Sequence, residues 1–498
     1  MSGAAVILGA WERELLAERS MAPILVIGPT GSGKTTTVVH PTLLTGWGES
    51  VVVWDFKGTL AGDTGAARER LGDVVVLDLA RPGGPRYNPL MAVRPEPHLV
   101  PDCQHAARII TEAEREGHWR NAAFAYLSGV FVWLLTSGAD ADKCLAGARR
   151  HLLDGDKGLR RMLTRGSHPT AKRAAQELWE QSEAKAAQDQ PDLFTAKSAG
   201  TPVDKSLHYR KSVYVTASVL LAEFEDPVLD AQTATSDFSI ADLVAGDRPV
   251  TLYILARPLD ARRLRRVFKL ILTQMVDFLT VDRGTAEDGR TRRWRVLFVL
   301  DEFLQFQMGE AAEWARYVRE YGIRLLLLAQ SLADVEAQYG EGLVANCRLL
   351  AFRPNSAGEA ERLSAMVGDA ITEVPTRTTS KGLLDLFPTI SRGTRIDRRP
   401  VLPMHEALSM AEEELILFGY GKPIRGRRLH PWADPRWQGL YGPPVRPFQP
   451  RPNAARWLRP RSSDPSAAAP AGPVPAGVSA GPERPAEPER PAPRRIVT

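Results

Sequence analysis

Residues 28–35 read Gly-Pro-Thr-Gly-Ser-Gly-Lys-Thr, a complete GxxxxGK[ST] phosphate loop. No other feature constrains the fold as strongly, because the motif works only where a strand ends and a helix begins. Both flanks are present: the apolar run Pro23 to Ile27 precedes it, and a predicted helix opens at Thr36. Glycines in such a loop let successive backbone amides turn inward around phosphate oxygens, helped by the helix N-terminus. The predicted nucleotide-binding set is therefore Gly28, Pro29, Thr30, Gly31, Ser32, Gly33, Lys34, Thr35 and Thr36. Lys34 reaches the β- and γ-phosphates of ATP, and the Thr35 hydroxyl ligates Mg²⁺.

A phosphate loop needs a parallel sheet behind it, and the sequence supplies candidates. Continuous apolar runs occur at Ile24 to Ile27, Val51 to Trp54, Val74 to Leu77, Val250 to Leu255, Val296 to Leu300, Leu325 to Leu328 and Leu349 to Phe352. Runs without alternation suit strands covered on both faces. Helical patterns lie between them, as at Arg262 to Leu279 and Glu310 to Tyr321. The expected fold class is α/β: a doubly wound P-loop NTPase domain, a mostly parallel sheet flanked by helices, with an inserted all-α domain. The insert is assigned to residues 96–225, where the strand signal vanishes and Ala, Arg, Glu, Gln and Leu dominate. Within it, Ala186 to Lys205 reads as a loop, broken by Pro191, Gly200 and Pro202. The nucleotide-binding domain then comprises residues 21–95 and 226–437, preceded by a helical lead over residues 1–20. From residue 438 the chain reads as a disordered Pro/Ala/Arg-rich tail, since 15 of the 38 prolines lie beyond Tyr441.

The run Val296 to Leu300 ends in Asp301-Glu302. Two acids at the carboxyl edge of a strand beside a phosphate loop suit a division of labour. Asp301 holds Mg²⁺, directly or through water, and Glu302 polarises the attacking water. Gln330 ends the next strand, Arg324 to Ala329, within reach of the γ-phosphate. It is either a nucleotide sensor or a loop anchor. Asp55 and Lys57 either shape the pocket or form a strand-end ion pair. Absent signatures narrow the class. No NKxD guanine reader occurs, so ATP is preferred, and neither an LSGGQ-like segment nor a DEAD or DEAH box is present.

Charge gives little support for nucleic-acid binding by itself. Of the net +5, the whole excess lies beyond residue 440, where nine arginines face four acids; the remainder holds 55 basic and 55 acidic residues. Cys103, Cys144 and Cys347 have neither metal spacing nor a CxxC pair, which points to a reducing cytoplasm. No apolar stretch reaches the ~18 residues of a bilayer span.

Several further segments, in order, resemble the type IV secretion coupling proteins of the TraG/TraD class. They are His40 to Thr45, Ser50 to Gly58, Arg86-Tyr87-Asn88-Pro89-Leu90, Asp301-Glu302-Phe303, Tyr321 to Arg324, Gln330 to Ala333, Tyr339-Gly340 and Asn346-Cys347. The likeness runs from about residue 21 to residue 437. It implies a RecA-like nucleotide-binding domain interrupted by an all-α domain, in an ATP-hydrolysing, DNA-translocating homo-hexamer. It further implies that the chain receives a relaxase–DNA complex and delivers it to the type IV secretion channel components. Aligned on Tyr321 to Arg324, it places a trans-acting arginine finger at Arg319; the plain alternative is that Arg319 pairs with Glu310, Glu313 or Glu320. Two departures stand out: Thr59 occupies a position where the family carries an acid, and the family's membrane anchor has no counterpart before the phosphate loop. Membrane contact is thus expected only through partners, at the inner face of the plasma membrane. Two other readings remain, a pumping ATPase of the chromosome-segregation or defence type, and an ATP-dependent recruitment module that moves no DNA.

Overall fold

A strand apolar on both faces is most stable when buried between two layers, and six of the seven predicted runs are buried in that way; the seventh, Val74 to Leu77, lies at the sheet's edge with Val74 and Val76 half-buried. The computed structural model describes residues 4–12, 14–112, 117–188, 205–306, 310–380, 389–420 and 423–451. Its strands are β1 (Val6–Trp11), β2 (Glu14–Glu18), β3 (Ile24–Ile27), β4 (Ser50–Asp55), β5 (Asp73–Asp78), β6 (Val250–Leu255), β7 (Val296–Leu300), β8 (Ile323–Ala329), β9 (Arg348–Phe352), β10 (Asp369–Ser380), β11 (Thr389–Pro400), β12 (Glu414–Phe418) and β13 (Ile424–Arg427). Eleven form one sheet in the order β2-β1-β13-β12-β9-β3-β8-β7-β4-β6-β5. From β9 to β5 every neighbouring pair is parallel. The remaining pairs, from β9 through β12, β13 and β1 to β2, are antiparallel. β10 and β11 form a separate two-stranded ribbon between β9 and β12.

The seven parallel strands are the seven predicted runs. The helical lead over residues 1–20 is corrected: β1 and β2 form a hairpin there. Val6, Ile7 and Leu8 are buried, and Ile7 donates its backbone N–H to the Thr42 hydroxyl at 2.9 Å. Three consecutive buried apolar residues at an antiparallel edge satisfy a strand better than a one-sided helix.

Helix α1 (Leu60–Leu71) links β4 to β5. Between β5 and β6 the elements among the described residues are helical. They are α2 (Leu99–Thr111), α3 (His118–Ser137), α4 (Leu145–Leu153), α5 (Asp156–Arg165), α6 (Pro169–Gln188), α7 (Lys205–Val219), α8 (Pro227–Thr233) and α9 (Asp242–Ala245), with short 3₁₀ turns. Helical structure therefore extends past the expected boundary at 225. The expected loop at Ala186 to Lys205 lies for the most part outside the described residues. The later helices are α10 (Pro258–Arg263), α11 (Arg265–Leu279), α12 (Ala311–Tyr317), α13 (Leu332–Tyr339), α14 (Glu341–Ala345), α15 (Ala357–Val367) and α16 (Met404–Leu408). One continuous core spans sheet and helical region, so the two are not separate bodies: residues 1–458 form one unit. No helix among the described residues is long and apolar enough to cross a membrane.

The Arg86 to Leu90 segment closes the mouth of the helical region. Arg86 donates from its backbone N–H and from Nε and Nη2 to the Asp237 carboxylate at 2.9–3.1 Å. The Asn88 amide donates to Lys143 O and Ala234 O, and its oxygen accepts from the Leu90 N–H. Tyr87 is buried and stacks on Phe238. Entry to and exit from the helical region are thereby fastened together.

The first part of the expected tail, residues 438–451, is folded against the body. Trp437 is buried, the Gly442 N–H donates to Asp63 O, the Arg446 N–H to Glu69 Oε1 at 2.7 Å, and Arg451 pairs with Asp73 and Asp242. Residues 438–451 thus strap across α1 and the start of β5, using prolines and arginines that read as tail composition. The rest of that expected tail lies outside the described residues.

Candidate active site

β3, β8 and β7 are adjacent and parallel, so their carboxyl ends share one edge of the sheet. The phosphate loop follows β3, Gln330 follows β8, and Asp301 and Glu302 follow β7. Register fixes this convergence: Ile27 lies opposite Ala329, and Leu300 opposite Leu327.

In the loop, Gly31 and Gly33 take φ of +81° and +86°, a region costly for any residue with a Cβ. The helix expected from Thr36 is present, and it is wide: π-type turns at Thr35–Val39 and Thr42–Gly46 are joined through the helical pair His40-Pro41. Pro41 supplies no N–H, and three β-branched threonines precede it, so a regular ladder is interrupted there. Lys34 is 5% exposed, and its Nζ donates to Gly28 O at 2.5 Å and Pro29 O at 3.2 Å. Burial lowers its pKa, opposed by the nearby carboxylates of Glu302 and Asp301. Thr35 is half-buried on the first turn, and the Thr36 hydroxyl donates to Gly33 O.

Asp301 is 2% exposed, and burial pushes its carboxyl up to about 6 against the opposing pull of Lys57. Its Oδ2 is buried without a hydrogen-bond partner among the described residues, an acceptor left free beside the phosphate loop. Glu302 holds φ at +56°. A non-glycine residue in that region stores backbone strain, and such strain collects at functional sites. Gln330 Nε2 donates to Glu302 Oε2 at 3.2 Å, so the strand-end amide and the acid are in direct contact.

Asp55 has a different task. It is fully buried, and its two oxygens accept from the N–H groups of Gly58, Thr59, Leu60 and Ala61. It therefore caps α1 and makes no strand-end ion pair among the described residues, while lying near enough to act electrostatically on Asp301. Lys57 is exposed, yet near enough to act electrostatically on Lys34 and Asp301. Thr59 is exposed beside the cap and leaves the Asp55 bonds intact.

Arg319 lies in the 3₁₀ turn Val318–Tyr321, before β8, at the edge opposite Gln330. β8 is seven residues long, which separates the two ends by about 20 Å. Arg319 is exposed and makes no ion pair among the described residues. Two of its alternative partners are engaged elsewhere: Glu310 faces Lys269 and Glu320 pairs with Arg283.

Sequence reasoning missed Arg428, which follows β13 and packs against the loop at Gly33. No motif signals it; the sequence there reads Arg425-Gly426-Arg427-Arg428, a plain basic run.

Residues 6–448 match the family model for type IV secretory system conjugative DNA transfer. Conjugal transfer protein TraG of Escherichia coli is 30% identical over 431 residues, covering 81% of this chain and 65% of that relative. The chain thus spans just under two thirds of that relative's length. Among solved structures, plasmid coupling protein TrwB in complex with the ATP analogue ADPNP superposes with a TM-score of 0.59 at 14% identity, over 91% of this chain and 93% of that one. TrwB in complex with ADP and Mg²⁺ gives 0.53 at 16% identity, over 82% and 84%. At these identities the superpositions establish the fold.

Proposed function

This chain belongs to the conjugative DNA-transfer family of type IV secretory systems, and on that premise we propose that it is an ATP-driven DNA translocase. In this reading it acts as the coupling protein that passes relaxase-bound DNA to the secretion channel. The observation that carries the reading is the meeting of Lys34, Asp301, Glu302 and Gln330 at one edge of three adjacent parallel strands. A TrwB structure holding ADP and Mg²⁺ on the same fold supports both ligands here.

The residues present fit a magnesium ion: Asp301 keeps a buried oxygen unengaged among the described residues, and the half-buried Thr35 opens the turn that follows the phosphate loop. Held by Asp301 and Thr35, Mg²⁺ would neutralise charge on the bound phosphates. The loop amides and Lys34 bind and orient the phosphates, while Glu302 positions and polarises water. Gln330, bonded to Glu302, is placed to sense the terminal phosphate. One chain leaves the transferred phosphoryl group short of positive charge, and Arg319 is proposed to act on a neighbour's site in a homo-hexamer. Its exposure, its freedom from ion pairs among the described residues and its distance from its own loop support that role. Contact with the inner face of the plasma membrane is proposed to run through channel partners.

The test is ATP hydrolysis with and without single-stranded DNA. Stimulation of at least several-fold is expected, with turnover lost in Lys34→Ala while its melting temperature stays within a few degrees. Turnover indifferent to DNA would favour a recruitment module, and a folded Lys34→Ala protein with near-normal turnover would remove the site.

A further inference from the structure

We propose that Arg428 is a second cationic ligand of the bound nucleotide, delivered from the far end of the sequence to the nucleoside side of the phosphate loop. The proposal rests on the nucleotide-binding reading above and extends it to the part of the ligand away from the reacting phosphate. Strand order supplies the direction. Glu302 and Gln330 follow β7 and β8, both on one side of β3, so the terminal phosphate faces that side. The α-phosphate and nucleoside then extend past the loop toward β9, the other neighbour of β3.

A cleft of about 460 Å³ lies there. Its walls are the loop Pro29 to Ser32, the turn Phe352 to Asn355 after β9, and Leu408, Glu412 and Arg428. Arg428 is held in place from both sides. Its backbone N–H donates to Glu413 O at 2.7 Å. The N–H of Leu429 donates to the Thr37 hydroxyl, on the turn that follows the loop, at 3.4 Å. The side chain thus moves with the loop it leans on.

Its guanidinium covers Gly33, where any Cβ would collide with it. Gly33 is therefore required twice, for its positive φ and for this contact. Nη1 donates to Glu412 O at 3.2 Å, whereas Nε is buried and has no hydrogen-bond partner among the described residues. A buried, unengaged guanidinium donor is costly, and an anionic oxygen relieves that cost better than a neutral acceptor. The α-phosphate of a nucleotide seated in the loop offers such an oxygen at this place. Ser32 Oγ, also buried and unpartnered, stands on the same wall.

An arginine on this side binds ATP and ADP alike, in contrast to one aimed at the γ-phosphate. The experiment is a titration of the full chain with a fluorescent ADP and a non-hydrolysable ATP analogue, both with Mg²⁺. Arg428→Met keeps the stem over Gly33 and removes the donors. Both affinities are expected to fall by at least about tenfold and by the same factor. Arg428→Lys, which keeps the charge without the planar fork, is expected to lose about threefold. Affinities in Arg428→Met within twofold of the parent overturn the proposal, as does a loss confined to the ATP analogue. Should Arg428→Met fail to melt cooperatively, Arg428→Lys decides, and unchanged affinity overturns it. A parent chain that binds neither ligand refutes the nucleotide reading itself, a result separate from any difference between the variants.

Discussion

The edge formed by β3, β8 and β7 and the clasp at Arg86 to Leu90 draw on the same chemistry, acids, amides and an arginine, and leave it in opposite states. In the clasp, Arg86 engages both oxygens of Asp237 and Asn88 uses donors and acceptor together, with the Tyr87 hydroxyl as the exception. At the edge, Asp301 Oδ2, Ser32 Oγ and Arg428 Nε are buried without hydrogen-bond partners among the described residues, and Glu302 carries a strained φ. Buried polar groups are ordinarily satisfied because leaving one unmade costs roughly 1–3 kcal/mol. A cluster of exceptions at one sheet edge therefore marks where a ligand completes the bonding, whereas a saturated cluster marks where the chain fastens itself. Both segments carry the family resemblance, so resemblance alone does not separate the two roles.

The sharpest way to extend the contrast is to ask whether the unsaturated edge is completed by another subunit. Arg319→Ala is expected to cut turnover by two orders of magnitude or more, in line with arginine fingers acting in trans, which supply about 10³ to 10⁵. Glu302→Gln should be inactive for its own reason. Mixed at concentrations where assembly is verified, the two should regain part of the activity, because some interfaces then pair an intact Glu302 with an intact Arg319. Full activity of Arg319→Ala alone would confine the edge to one chain.

The clasp gives the converse test. Asn88→Ala removes a cap and leaves two carbonyls without their donor, at a cost of about 2 kcal/mol at neutral pH. Turnover per folded molecule should stay within about twofold of the parent. Chemical denaturation read beside ATP hydrolysis separates the two quantities. A fall in turnover with unchanged stability would mean that the clasp belongs to the site.

His151 challenges the rule that unsatisfied means functional. It is 3% exposed in the helical region, both ring nitrogens lack hydrogen-bond partners among the described residues, and it lies against Trp133 with ring centroids 4.4 Å apart. Burial holds its pKa down at about 4, with Arg161 adding in the same direction. The neutral ring is the folded form, and the unfolded ring titrates near 6.5. Its contribution is therefore complete above pH 6.5 and is lost as pH falls toward 4, at about 1.4 kcal/mol per unit. At pH 5.5 the parent should have lost about 1.4 kcal/mol from this group, and His151→Phe should flatten that part of the stability–pH curve. An unchanged slope would mean that the ring carries no folding-linked proton.

The sequence by itself determined the seven parallel strands, because each carries a continuous apolar run: six are buried on both faces and must be apolar throughout, and the edge strand β5 keeps the same pattern although it is only half-buried. It likewise determined the phosphate loop and the acids after β7, whose chemistry depends on residue type and on spacing along the chain. What it left out shares one property. β1, β2, β12 and β13 close the antiparallel flank, and the last of them reads Ile-Arg-Gly-Arg, with no apolar run to give it away. β12 follows Glu412-Glu413, a helix-favouring stretch whose outcome is set by pairing with β9. The strap at residues 438–451 has the composition of a tail and is ordered only because Asp73, Asp242 and Glu69 wait on the body. The saturation of Asp55 by four amides, the bond between Gln330 and Glu302, and the position of Arg428 over Gly33 were decided by tertiary structure alone. Local pattern records what a residue needs from its layer; which distant donor or acceptor meets it is settled only when the sheet order brings their strands together.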